Sequence, residues 1–233
     1  MDFSGIVALK GEFEAEGLSQ GSVAAESLFA ARHGLPYLVK IGGCEAKSDV
    51  RFLMQIGVRR IVAPMIESPF AMRKYMEMAP EGAFDQLGVT IETIDAVGRI
   101  EEILDAGTRL SEVTVGRTDL TASYGGPGVD SDETIAMVKT VATAARKRGL
   151  HMTMGGSVGA STARRLADDA ELRDLIDCVE TRKCVMPVDK FLEDGAIAAA
   201  FAVEEALLAL QLDHHGAIAD AASARIGQIR TRL

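Results

Sequence analysis

Glu92 and Asp119 are the residues of this chain best spaced for chemistry. Each follows a short apolar run that breaks into a carboxylate: Val89-Thr90-Ile91 into Glu92, and Val113-Thr114-Val115 into Gly116 and then Asp119. Between them, IDAVGRIEEILDAG spaces Ile94, Val97, Ile100, Ile103 and Leu104 as one buried helix face, which Gly107 closes. Strand, crossover helix and strand make a parallel unit. That sets both carboxylates side by side at the carboxyl edge of one sheet. Two hard oxygen ligands there suit Mg2+ or Mn2+, with water and substrate filling the remaining octahedral positions.

Other strand ends carry charge as well. In GIVALKGEFE, residues 5–14, Lys10, Glu12 and Glu14 alternate and so share one face; alternation alone leaves open whether that face meets water. PYLVKIGG places Lys40 just before Gly42-Gly43, where backbone could approach a ligand. Lys40 reads either as an oxyanion or carboxylate-binding group, or as a structural ion pair with Glu12 or Glu180. Lys10 could serve as a Schiff-base nucleophile if desolvated beside another cation. HMTMGG runs into GSVGAS and the helix TARRLADDAE, so Gly155, Gly156 and Ser157 resemble an anion site at a helix start. Glu180, Arg182 and Lys183 interrupt the apolar run of DCVETRKCVM, and charges so placed face one another across a barrel or line a site. His151 opens a strand and reads as structural; His214 and His215 read as solvent-facing.

The elements that must position these groups follow from composition and periodicity. A chain of 233 residues, 48% hydrophobic, has no apolar run near the ~18 residues of a membrane span and no compositional break, so residues 1–233 are expected to form one domain. The acidic start lacks the pattern of a signal peptide, which predicts a cytoplasmic protein. Cys44, Cys178 and Cys184 are too scattered for a disulfide framework or a zinc site. A net charge of −9 disfavours nucleic acid, whereas a few inward Lys and Arg residues still suit a small anionic substrate. Seven strand signals alternate with helices, which predicts an α/β fold, a TIM-type (β/α)8 barrel with its chemistry at the carboxyl ends of the strands. No eighth strand is visible, so the barrel is expected to be incomplete or closed by a segment of different reading. The loop GGPGVDSD, residues 125–132, reads as a mobile lid or a plain turn, with Asp130, Ser131 or Asp132 capping the next helix. From Val188 the chain reads as helical to its end, and a long apolar helix of this kind packs on a neighbouring subunit, so a homo-oligomer is expected. No GxGxxG, Walker-type loop, GxSxG or HExxH is present.

The series KGEFEAEG, LVKIGG, IVAPMIES, VTIETIDAV and VTVGRTDLTASYG, in this order, resembles the HpcH/HpaI aldolase and citrate lyase β-subunit family over roughly residues 5–190. The resemblance implies a metal-dependent barrel, trimeric or hexameric, that makes or breaks a C–C bond beside the carbonyl of a 2-oxo acid such as pyruvate or oxaloacetate, or of a thioester. Glu92 and Asp119 fall where that family holds its metal. Three departures accompany the match. Lys40 stands where the family carries an Arg that polarises the carbonyl, a point charge in place of a planar fork. Lys10-Gly11-Glu12-Phe13 stands where aldolases carry Asp-Gly-Glu-His, so the His of the general base is replaced by Phe13. Glu12, Glu14, Lys10 or a metal-bound water then become the proton acceptors to consider. Arg117 stands where aldolases often carry Pro, and with Glu180 and Arg182 it suggests a site rebuilt for a more anionic substrate. The expected activity is a divalent-metal-dependent C–C lyase or aldolase; the alternatives are a citrate lyase- or synthase-like reaction with an acyl thioester, and a catalytically reduced barrel binding a small anion.

Overall fold

Alternation along the strands decides which side chains meet in the interior, and the outcome places charge inside. The computed structural model describes residues 2–212 and 216–231, with the side chains of 216–222 left aside; His214 and His215 lie outside the described residues. Eight strands close into a barrel: β1 Ala8–Glu12, β2 Tyr37–Lys40, β3 Arg60–Ala63, β4 Gln86–Ile91, β5 Glu112–Gly116, β6 His151–Gly155, β7 Cys178–Glu180 and β8 Cys184–Pro187. The first seven run parallel, neighbour to neighbour. β8 runs antiparallel to both β7 and β1.

That last strand corrects the expectation of a single strand over DCVETRKCVM and of seven strands in all. The segment folds back at Thr181-Arg182-Lys183. Thr181 N–H donates to the Cys184 carbonyl at 2.9 Å, and the Thr181 hydroxyl accepts from Cys184 N–H at 3.1 Å. A threonine side chain thus closes the turn, without the Gly or Asn that usually marks one. The hairpin completes the barrel with no crossover helix.

The residues facing outward are apolar. Leu9, Val39, Ile61, Val89, Val113 and Met152 join the main core under the helices. The inward row begins as a small apolar layer of Ala8, Leu38, Val62, Cys178 and Val185. Above it, toward the carboxyl ends, lie Lys10, Glu12, Lys40, Thr90, Glu92 and Glu180, all buried. The period-two face of β1 therefore looks into the barrel.

Capping follows local sequence. Ser19, Ser68 and Ser131 each accept a backbone N–H at the start of a helix. The expected crossover helix after β4 is two short helices, Ile94–Gly98 and Ile100–Asp105, with Arg99 between them at φ −119°. The first of the two expected C-terminal helices is itself broken: Val188–Phe191 ends before Gly195, at φ +83°, and the long helix runs Ala196–Leu212. It packs against the helix Gly216–Arg230 through Phe201, Leu208 and Ile229. No helix among the described residues is long and apolar enough to cross a membrane. Cys178 and Cys184 are buried, Cys44 is half-buried, and all three are free thiols.

At the amino-terminal end of the barrel a second cavity of about 500 Å³ is lined by Arg60, Gln86, Glu112, His151 and Cys178 among others. Glu112 is buried and accepts from the Thr153 hydroxyl at 2.8 Å. Burial raises its pKa to about 7, with the Glu180 charge adding to the effect. A carboxyl with a raised folded-state pKa contributes stability that is fully present below its unfolded value near 4.5 and is lost as pH rises through about 7. Between pH 4.5 and 8 this group should therefore cost the wild type up to about 3 kcal/mol. Glu112→Gln, which cannot ionise, is expected to flatten the fall and to melt higher than the wild type at pH 8. Parallel melting curves over that range would contradict the assignment.

Candidate active site

The carboxyl ends of the strands surround a cavity of about 330 Å³. Two lysines stand in it, each held between two carboxylates. Lys10 Nζ lies 2.7 Å from Glu12 Oε1 and 2.6 Å from Glu180 Oε1. Lys40 Nζ lies 3.2 Å from Glu92 Oε2 and 3.3 Å from Glu14 Oε2. Burial works against both ammonium charges, yet the neighbouring carboxylates outweigh it, and both lysines titrate above the ordinary lysine value. Burial also works against the Glu12 charge, but Lys10, Lys40 and Arg182 outweigh it and lower the pKa to about 2. Glu12 is consequently a carboxylate at any working pH and a poor proton acceptor.

Asp119 and Arg182 line the same cavity, and among the described residues neither has an ion-pair partner within 4.0 Å. Asp119 is carried by the first turn of the helix Arg117–Tyr124, directly after β5. Arg182 sits in the β7–β8 turn, and its buried Nε has no hydrogen-bond partner. One spare carboxylate and one spare guanidinium thus face a single cavity.

Glu92 is almost fully buried. Its Oε1 accepts from Met65 N–H at 2.9 Å, and burial raises its pKa against the opposing pull of Lys40, with Asp119 adding to the rise. A Cβ at Gly116 would stand 2.6 Å from Glu92 Oε2; the glycine leaves the room that this carboxylate occupies over β5. Met65 and Ser157 are the non-glycine residues of the described chain with positive φ, both at 50°, and both belong to this region. Strain of this kind costs about 1–3 kcal/mol per residue and gathers at sites that use it.

Most residues singled out in the sequence come together here. Lys10, Glu12, Lys40, Glu92, Asp119, Gly156, Ser157, Glu180 and Arg182 all line the cavity. Glu14 stands at the rim through Lys40, its side chain 34% exposed. Lys40 pairs with Glu92 and Glu14, in place of the expected Glu12 or Glu180, although Lys40 and Glu12 are register partners across β1 and β2. Phe13, the replacement for the family's histidine, packs edge-on against Phe52 with ring centroids 6.3 Å apart and belongs to the core.

Arg117 is not brought to the cavity, in contrast to the expectation. It is fully buried behind the site. Its Nε donates to the Gly155 carbonyl at 3.0 Å, its Nη2 to the Gly156 carbonyl at 3.0 Å and the Thr162 hydroxyl at 3.1 Å, and its Nη1 pairs with Asp130. It ties the end of β6 and the loop 125–132 to the start of its own helix. Asp130 also accepts from the Ser161 hydroxyl at 2.7 Å, so this loop is a pinned turn.

Lys183 also turns away from the cavity. Its Nζ pairs with Glu16 and, at 2.8 Å, with Glu26 Oε1. Tyr37 and Gln211 donate to the same Glu26 at 2.7 and 2.6 Å. Neighbours in sequence, Arg182 and Lys183 serve opposite sides of one turn.

Three lining residues lie far along the chain: Phe201, Arg225 and Gln228, from the two C-terminal helices. No local signal in the sequence marks them.

Comparison with known proteins bears on the whole arrangement. The family model described as HpcH/HpaI aldolase/citrate lyase matches residues 38–173. Comparison with curated protein sequences finds no match. Among solved structures, the chain is similar to an HpcH/HpaI aldolase from Desulfitobacterium hafniense DCB-2, with TM-score 0.60, 17% identity, and coverage of 68% of this chain and 72% of that one. It is also similar to an HpcH/HpaI aldolase/citrate lyase family protein from Burkholderia cenocepacia J2315, with TM-score 0.63, 18% identity, and coverage of 88% and 85%. A third likeness is to the citrate synthase SbnG, with TM-score 0.63, 14% identity, and coverage of 91% and 87%. At these identities the structures establish a shared fold.

Proposed function

The chain belongs to the HpcH/HpaI aldolase/citrate lyase family and is an enzyme of carbon–carbon lyase or synthase type; from this we propose that it cleaves or forms the C–C bond of a small 2-oxo acid with the help of a divalent metal ion. The observation that supports this reading is the Asp119 carboxylate, without an ion-pair partner among the described residues, facing the same cavity as the buried Glu92, which its charge reaches.

The residues fit such an ion. Glu92 and Asp119 would hold it, Glu92 leaning into the space left by Gly116. No cluster of three His, Cys, Asp or Glu able to hold a metal occurs among the described residues, so an ion held by Glu92 and Asp119 would take most of its ligands from water and substrate oxygens. When bound, the ion supplies Lewis-acid stabilisation of enolate charge.

The remaining work falls to the chain's own side chains. Lys40, kept as ammonium, places positive charge beside Glu92, where negative charge develops on the 2-oxo acid. Lys10 holds Glu12 and Glu180 ionised and in place. Held protonated between two carboxylates, it is ill suited to form a Schiff base. With Phe13 in the core, Glu12 too weak a base and Lys10 held as ammonium, Glu14 is the side chain among the sequence candidates left to act as proton acceptor, a metal-bound water being the other; it touches Lys40 and is open to solvent. In the cleavage direction Glu14 takes the proton of the 4-hydroxyl, the C3–C4 bond breaks to release a carbonyl compound, and protonated Glu14 returns that proton to C3 of the enolate, which leaves as the 2-oxo acid while Glu14 is restored as carboxylate.

The test needs no knowledge of the second reactant. Metal-stripped protein given Mg2+ or Mn2+ in D2O should exchange the methyl protons of pyruvate, followed by NMR, and Glu14→Gln should slow that exchange by about 10² to 10⁴. No exchange with either ion would overturn the 2-oxo acid reading. Full exchange in Glu14→Gln would remove Glu14 from the mechanism.

A further inference from the structure

The cavity at the amino-terminal end of the barrel holds two opposite charges that do not meet. Arg60 opens β3, Glu112 opens β5, and both line this space of about 500 Å³. The register sets β4 between them, Arg60 pairing with Gln86 and Glu112 with Gly88. Two strand spacings therefore separate their backbones, about 10 Å. A Cβ at Gly88 would stand 2.8 Å from Val62 Cγ2 and 3.7 Å from Glu112 Cβ, so the intervening strand is bare where it passes Glu112. Burial raises the Glu112 pKa and the Arg60 charge pulls it back; the two groups sense each other, yet among the described residues neither has an ion-pair partner within 4.0 Å. The other charged groups of the lining are engaged elsewhere: Asp85 with Arg59 at 2.7 Å, and His151 Nδ1 3.4 Å from Asp177. The Thr153 hydroxyl occupies Glu112 Oε1, leaving Oε2 without a donor among the described residues. A carboxylate buried in this way costs stability, and groups that cost stability without structural return gather where a ligand binds.

We propose that this cavity binds a free aliphatic amino acid, its ammonium on Glu112 and its carboxylate on Arg60. The two charges of such a ligand complete an ion pair that the chain itself leaves open, and both contacts are charge-assisted hydrogen bonds, the strong kind. The guanidinium suits the carboxylate because its fork of donors matches two oxygens. Ala8, Leu38, Cys178 and Val185 line the same cavity and offer the ligand's side chain an apolar face. A volume of about 500 Å³ lies within the range of small-molecule pockets. The site is separate from the cavity at the carboxyl ends of the strands, and the proposal does not depend on the lyase reading.

Calorimetric titration at pH 8, above the Glu112 pKa of about 7, with L-leucine, isopentylamine and 4-methylpentanoate separates the two charges on one carbon frame. The wild type should bind leucine at least about tenfold more tightly than either single-charge analogue, since each analogue forfeits a hydrogen bond between charged groups. Glu112→Gln should hold leucine no better than 4-methylpentanoate, and Arg60→Met no better than isopentylamine. Glu112→Gln is expected to melt higher than the wild type at this pH, so its loss of binding is not a loss of fold. Arg60 has no ion-pair partner to strand, and a melting curve of Arg60→Met checks that it too is folded. No binding of leucine by the wild type, binding of either analogue as tight as that of leucine, or leucine binding that survives both substitutions would overturn the proposal.

Discussion

Asp119→Asn is expected to leave the barrel folded and to lower turnover by about three orders of magnitude. Asp119 makes no ion pair among the described residues, so its loss strands no cation and should shift stability little, or even raise it by relieving Glu92 of a like charge. On the proposed mechanism the activity loss comes from the divalent ion that Asp119 would help to hold. An ion acting on a developing enolate is worth several kcal/mol, and each 1.36 kcal/mol is tenfold in rate. Glu92→Gln should show the same loss of turnover with a different stability cost, because Lys40 then keeps only Glu14 as its close partner. Melting temperatures and turnover measured on both variants check this. A folded Asp119→Asn enzyme with near-normal turnover would remove Asp119 from the metal site.

Arg117→Ala is expected to have the largest effect on stability, about 3–5 kcal/mol. The guanidinium is fully buried and serves the Gly155 and Gly156 carbonyls, Thr162 and Asp130 at once. Removing it leaves a carboxylate and several backbone acceptors unpaired in low dielectric, and each unpaired buried group carries its own desolvation cost. Chemical denaturation measures the loss. If Arg117 instead contacted substrate, the same change would raise KM in a protein of nearly normal stability.

Arg117 also shows what the sequence conceals. The first residue after β5 can face the barrel mouth or the space behind it, and periodicity does not distinguish the two. Glu92 and Asp119 were legible because parallel strands in register bring their carboxyl ends together, and β4 and β5 pair Gly88 with Glu112 through Ile91 with Val115. Lys10 and Glu12 were legible as partners on one face, since alternation places them together whichever way the face turns. Their own contacts were not: Lys40 reaches Glu92 and Glu14, a matter of side-chain reach across the barrel. The closing strand was hidden for a chemical reason, a turn made by a Thr181 hydroxyl with no glycine to mark it. Phe201, Arg225 and Gln228 were hidden by distance along the chain: Phe201 sits on a helix that reads as apolar nearly throughout and so does not say which element it covers, and Arg225 and Gln228 sit on the next helix, whose polar residues read as ordinary surface.

The most direct test of the metal-dependent site is calorimetric titration of the metal-stripped protein with Mg2+ and Mn2+, with and without pyruvate, for the wild type and for Asp119→Ala. Saturable binding that pyruvate tightens, and that Asp119→Ala abolishes, is the predicted result. Absence of binding by the wild type with pyruvate present, or binding that Asp119→Ala leaves intact, would contradict it.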